Sequence, residues 1–341
     1  MKVKLSNNKK IKMKKSVYFM LSLFIISVMI IAHGCKKKGD PPQITTIEVT
    51  DVTNNSAKSG GNIISDGGCE IIEKGVCWNT TGNPTVEADQ KTTHGKGSDS
   101  FTSNLTGLKP DATYYVRAYA TNGPGTSYGD EISFTTKVAD ADGNLYNTVK
   151  IGTQVWMTEN LKTTKYNDGS GIPNVTDNQE WTTLKTGAYA WANNDEKNKP
   201  IYGALYNWHA VETGKLCPTG WHVPTDNDFK TLEITLGLAQ SEADGTGWRG
   251  TNQGSQLKTT EGWEQNGNGT NSSGFAAPPS GYRYYGDGTT KGLKLICYFW
   301  TSTPSNDLSS IYRRLDAEES AIYRSATHNE AGKSVRCVKN D

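Results

Sequence analysis

Hydrophobic and polar positions alternate most regularly in LTGLKPDATYYVRAYATN, residues 105–122. Within YYVRAYA, Tyr114, Val116, Ala118 and Ala120 fall on one side of an extended chain, and Tyr115, Arg117 and Tyr119 on the other. A period of two predicts a strand with one buried face. Shorter runs of the same kind predict strands at 44–49, 57–64, 71–78 and 132–136, the third entered through the turn signal Asp66-Gly67-Gly68. The helical period is clear once, in HVPTDNDFKTLEITLG, residues 222–237. There Thr225 is an N-cap, Asp228 closes an acidic capping box, and Asp226 and Asp228 suit the positive end of the helix dipole. Phe229, Leu232 and Leu236 share one face, and Gly237 fits the C′ position. The rest of the second half reads as aromatic strands, glycine turns and long polar loops.

One apolar run is of another kind. Residues 17–32, VYFMLSLFIISVMIIA, form a stretch of sixteen, preceded by seven lysines and no acid. A spanning helix needs about 20 apolar residues. Sixteen after a basic stretch reads as a secretory signal over 1–34, with an uncleaved signal anchor as the alternative. Ala32-His33-Gly34-Cys35 ends the run and resembles the bacterial lipobox, with Ala32 where that motif usually has Leu. The resemblance implies that Cys35 carries lipid and begins the mature chain, so the partner at this end is a membrane and 35–40 is a tether. Acyl chains bury about 0.8 kcal/mol per CH₂, and Lys36–Lys38 add attraction to anionic head groups. The expected location is the cell envelope at the outer membrane, with surface and periplasmic faces both open.

Removing the seven lysines of 1–34 takes the formal charge from +1 to −6. A mildly acidic chain with no basic block beyond the tether excludes nucleic acid as a partner. The remaining 307 residues suffice for two domains. Only 34% of the chain is hydrophobic, which suits β-rich, loop-rich modules. Trp78 stands alone in the first half, and eight tryptophans lie between Trp156 and Trp300, which places a boundary near residue 138.

Across 41–137, Leu108-x-Pro110 followed by Tyr114 resembles the tyrosine corner of fibronectin type III domains, implying a seven-stranded, immunoglobulin-like β-sandwich. Gly125-Thr126-Ser127-Tyr128-Gly129 matches the G-x-S-x-G nucleophile elbow, but that motif needs a helix after it, and a strand is predicted there. Ser127 is therefore read as a loop residue. An extended 69–77 segment would span roughly 26 Å, against the ~7 Å a disulfide tolerates, so Cys69 and Cys77 are not expected to pair with each other.

The second half resembles the Fibrobacter succinogenes major paralogous domain over 138–341. Its segments DADGNLYNTVKIGTQVWMTENL, GALYNWHAV, LCPTGWHVPTDNDF, NSSGFAAPPSGYR, FWTST, IYRRL and GKSVRCV carry the likeness in order. The resemblance implies an α+β, C-type-lectin-like fold related to formylglycine-generating enzymes. Those enzymes bind copper through two nearby cysteines, and no such close pair occurs here. Trp156, Trp208, Trp221 and Trp300 are expected in the core, each burying on the order of 200 Å². An exported chain meets an oxidising compartment, so Cys217 and Cys337 are the expected disulfide, with Cys297–Cys337 as the alternative pairing. Otherwise Cys297 is a buried thiol.

His209, His222 and His328 show no metal-ligand spacing, so no metal or other cofactor is expected. Calcium is the one ion kept in view, because GWEQNGNGTNSSG and PTDNDF are rich in oxygen donors, although neither matches an EF-hand. No catalytic constellation is apparent, and the chain is read as a non-enzyme. The expected ligand-binding residues are Tyr282, Tyr284, Tyr285 and Asp287 in one loop, with Trp248 and Trp263, beside Arg249 and Asn266, lining the same region. Aromatic faces beside hydrogen-bonding groups suit a sugar. Three functions compete: a lipid-anchored adhesion protein whose C-terminal domain binds glycan or protein while the sandwich serves as spacer; a purely structural surface component; and an enzyme with an unrecognised site in 138–341.

Overall fold

The computed structural model describes residues 39–340. Residues 1–38, on which the expected signal segment, Cys35 and most of the expected tether fall, lie outside the described part. The chain divides into two compact units. One comprises the described chain up to Val52 with Ser56–Gly107 and Thr113–Thr135; the other comprises Thr53–Asn55, Leu108–Ala112 and the chain from Thr136 onward.

The first unit is a β-sandwich. Its strands are β1 (Gln43–Thr50), β2 (Ser56–Ser65), β3 (Glu73–Asn79), β4 (Gln90–Lys91), β5 (Phe101–Thr106), β6 (Thr113–Thr121), β7 (Thr126–Tyr128) and β8 (Ile132–Thr135). One sheet runs β1-β2-β5, and the other runs β4-β3-β6-β7 with β8 also on β6. Tyr114, Val116, Ala118 and Ala120 face the core, as the period of two requires. Tyr119 departs from the alternation: it is fully buried on the opposite face, where its hydroxyl donates to Glu73 at 2.8 Å.

β7 and β8 share one edge of β6, pairing with Tyr119–Thr121 and Thr113–Val116 respectively. The break falls at Gly129-Asp130, for a local reason. The Ala118 amide donates to the Thr46 hydroxyl of β1 at 3.0 Å, and a Cβ on Gly129 would stand 2.5 Å from the Thr46 amide nitrogen. Only glycine admits that approach. Ser127 lies in β7 opposite Ala120, and a strand follows it, so the strand-to-helix turn of a nucleophile elbow is absent here.

The second unit is mixed α+β. Its strands are β9 (Val138–Ala139), β10 (Leu145–Tyr146), β11 (Thr148–Ile151), β12 (Gln154–Met157), β13 (Tyr189–Trp191), β14 (Ala204–Tyr206), β15 (Trp221–His222), β16 (Gly247–Arg249), β17 (Ser280–Arg283), β18 (Thr290–Leu293), β19 (Ile296–Asn306), β20 (Ser309–Asp316), β21 (Ile322–His328) and β22 (Val338–Lys339). The largest sheet among the described residues has the order β16-β21-β20-β19-β17-β18, and a smaller one runs β11-β12-β22-β15.

The Asp226–Thr235 helix starts at the expected capping box, with the Thr225 hydroxyl and the Asp228 carboxylate each bonded to the other's backbone amide. Phe229 and Leu232 pack with Trp156, Phe275 and Phe299 in one cluster. Trp208, Trp221 and Trp300 belong to a second cluster, which also holds Cys217 and Cys337. Those two cysteines are disulfide-bonded across 120 residues. A disulfide belongs to an oxidising, extracytoplasmic compartment. Cys297 is a free, fully buried thiol whose pKa burial raises to about 11. Among the described residues no helix is long and apolar enough to cross a membrane.

Candidate functional site

The six-stranded sheet has two chemically different faces, and strand register decides which side chain joins which. Trp248 pairs with Tyr323, Tyr323 with Arg314, and Arg314 with Tyr298. Cross-strand partners project to the same face, so these four form a row across β16, β21, β20 and β19. Gly281 pairs with Cys297, which sets Tyr282 beside Tyr298. Two residues along, Tyr312 pairs with Trp300 on the same face.

The residues between them turn the other way. Arg249, Arg313 and Arg324 face the Asp226–Thr235 helix. Glu233 of that helix is fully buried and accepts from Arg249 at 2.7 and 2.9 Å and from Arg313 at 2.6 Å. Asp226, two turns earlier, accepts from Arg313 at 2.8 Å and from Arg324 at 2.8 and 2.7 Å. Burial raises the Asp226 pKa, but Arg324 and Arg313 outweigh it and hold the carboxyl well below its ordinary range. One face of the sheet is therefore locked to the helix by charge, which leaves the aromatic face as the candidate site.

Rings run along that face nearly without a gap. Centroid distances are 5.1 Å from Trp248 to Tyr323, 6.3 Å from Tyr323 to Tyr312, 5.2 Å from Tyr312 to Tyr298 and 4.6 Å from Tyr298 to Tyr282. Tyr284 lies 6.4 Å beyond Tyr282, Tyr285 4.7 Å beyond Tyr284, and His328 stacks on Tyr285 at 4.2 Å. Trp248 is 38% exposed, Tyr298 is buried, and Tyr282, Tyr284, Tyr285, Tyr312 and Tyr323 are half-buried.

Two cations are wedged among the rings. The Arg314 guanidinium sits 5.5 Å from the Trp248 ring and 5.7 Å from Tyr298, and it pairs with Asp316. Lys333 Nζ lies 4.1 Å from Tyr298, 4.4 Å from Tyr312, 4.9 Å from Trp300 and 5.4 Å from Tyr282. Burial, followed by the neighbouring Arg314, holds the Lys333 amine well below the lysine range. The ring faces pull the other way, because their quadrupoles favour the ammonium. Burial raises the phenol pKa of Tyr282, Tyr298 and Tyr312, so these rings present neutral hydroxyls at neutral pH.

Five of the six expected ligand-binding residues meet on or beside this face. Asp287 is half-exposed at its end, paired with Lys291 at 2.8 Å, and Lys291 and Thr289 hold its pKa at about 2. Trp263 is the exception. It is 5% exposed, its indole donates to Thr259 and to the Ala277 carbonyl, and Lys258 lies over its ring at 5.1 Å. It is a core residue, and the expectation of an exposed platform there is corrected. Arg249 likewise leaves the region for Glu233. Tyr298, Tyr312, Tyr323, Arg314 and Lys333 went unselected in the sequence, although Tyr298/Trp300 and Tyr312/Arg314 carry the period-two spacing that marks one face.

Among the described residues no three His, Cys, Asp or Glu side chains gather as a metal site. The oxygen donors considered for calcium are engaged locally. Asp226 and Asp228 hold the helix start, Asn268 accepts from the Trp263 amide and Asn271 from the Ala276 amide. The histidines are dispersed: His209 meets Glu212, His222 meets Asp228 and Asn340, and His328 meets Tyr285. A separate cleft of about 520 Å³ is lined by Ile201, Tyr202, Pro278 and Pro279 together with Glu159 and Glu261.

The profile of the Fibrobacter succinogenes major domain matches residues 149–339. No curated protein matches the chain. Among solved structures, the sensor domain of the anti-sigma factor RsgI4 from Pseudobacteroides cellulosolvens is similar at 17% identity, covering 28% of this chain and 95% of that one, with a TM-score of 0.23. The third fibronectin III domain of human KIAA0343 is similar at 16% identity, covering 31% and 91%, also at 0.23. A multidomain structure of titin matches at 23% identity, covering 29% and 32%, with a TM-score of 0.22.

Proposed function

This chain belongs to the Fibrobacter succinogenes major domain family, and we propose that it is a non-catalytic, lipid-anchored envelope protein that binds glycan. In this reading Cys35 carries the lipid, the sandwich is a spacer, and the aromatic face of the six-stranded sheet is the binding surface. The observation that carries it is the row of rings from Trp248 to Tyr285. Flat ring faces match the C–H faces of pyranoses, and phenol hydroxyls along the row supply hydrogen bonds to sugar hydroxyls. Charged and polar groups on the opposite face are consumed by the helix, so the recognition chemistry gathers on one side. The disulfide fits an exported protein.

Two experiments test this reading. Screening the whole chain on a glycan array, with and without calcium, is expected to give calcium-independent binding; a blank array from folded protein contradicts it. Mass analysis of the mature N-terminal peptide is expected to find acyl groups on Cys35, and an unmodified Cys35 removes the anchor.

A further inference from the structure

The rings of the aromatic face run across the strands: Tyr298 is buried among them, and Trp248, Tyr323, Tyr312 and Tyr282 are partly exposed. They begin on β16, the edge strand of the sheet, and pass β21, β20 and β19 to β17. Four strand spacings of about 4.8 Å put roughly 19 Å between Trp248 and Tyr282, and past Tyr282 the rings of Tyr284 and Tyr285 turn back toward His328 of β21. A pocket for one terminal sugar would close around it, whereas this is a linear platform.

Its charge is also informative. Arg314 is countered by Asp316 and Lys291 by Asp287. Lys333 is 2% exposed and enclosed by four rings. The row thus shows a ligand ring carbons and hydroxyls, with Arg314 paired to Asp316 and Lys333 enclosed. An acidic polymer would find no uncountered cation at the surface of the row. Lys333 and Arg314, both packed near Tyr298, hold the rings in place before any ligand arrives, which lowers the ordering cost of binding.

We propose that this face binds a neutral, linear oligosaccharide lying across the strands, with roughly four sugar rings in contact at about one ring per strand spacing. The inference rests on the glycan reading above and adds the ligand's length and charge. The test is calorimetric titration of the whole chain with neutral α-1,4- and β-1,4-linked oligosaccharides of two, four and six sugars, and with oligogalacturonates of the same lengths.

Affinity is expected to rise from two to four sugars in a neutral series and then level off. Trp248→Ala, at a partly exposed edge position, is expected to weaken the four- and six-sugar ligands by about two- to tenfold, the worth of one ring contact. Equal affinity at all lengths, or tighter binding of the uronates, overturns the inference and leaves the glycan reading standing. Absence of binding to every saccharide here and on the array overturns both.

Discussion

Trp248 and Trp263 look alike in the sequence, each beside glycine and polar residues, yet they have opposite roles. The indole nitrogen of Trp263 finds two acceptors, and Lys258 covers its ring, so the side chain is core. Trp248 lies on an edge strand against Tyr323 and Arg314. Trp263→Ala is expected to cost about 3–5 kcal/mol of stability, as for a large buried aromatic, while Trp248→Ala costs about 1 kcal/mol or less. Urea unfolding of the two variants checks the contrast; equal losses would remove Trp248 from the surface. Nothing local distinguishes these tryptophans in the sequence, because the partners that bury Trp263 include Ala277, fourteen residues later.

At the scale of elements, what the sequence made legible was local. The period of two in β6 and the Thr225–Asp228 capping box depend on residues within a few positions, and both appear where the pattern placed them. The order of the six-stranded sheet depends on pairings between distant segments, so neither the ring row nor its cations could be assembled from spacing alone. The same pairings build the charge lock on the other face. Glu233→Gln leaves Arg249 and Arg313 buried without their carboxylate and is expected to destabilise the second unit by about 3–5 kcal/mol, measured by chemical denaturation. A loss below 1 kcal/mol would mean the lock is not structural.

Asp226 gives the lock its pH dependence. Its folded pKa is depressed, so its stabilisation is fully present above the unfolded carboxylate pKa of about 3.9 and is lost as pH falls through the lower folded value. Denaturation midpoints of wild type and Asp226→Asn are therefore expected to differ by a constant amount from pH 7 down to about pH 5. They should converge as the medium becomes more acidic than the ordinary carboxylate range. A gap that widens on acidification contradicts this assignment.

At the scale of the whole molecule, the family and the sandwich each came from a different kind of pattern: ordered motifs and strand period. The Cys217–Cys337 bond closes a loop of 120 residues in the second unit. Replacing both cysteines by alanine is expected to cost about 4–5 kcal/mol on the chain-entropy account, read as a lower denaturation midpoint for that unit than in the wild type. An unchanged midpoint would show that the packed clusters hold without the link.

The central claim is that the aromatic face is where ligand binds. The most direct test is to compare wild type with Trp248→Ala/Tyr323→Ala on one glycan array, after confirming that the unfolding transition of the variant is intact. Binding by wild type that is lost in the folded double variant is the predicted result. Binding that survives in the double variant would place the ligand elsewhere on the molecule and contradict the account.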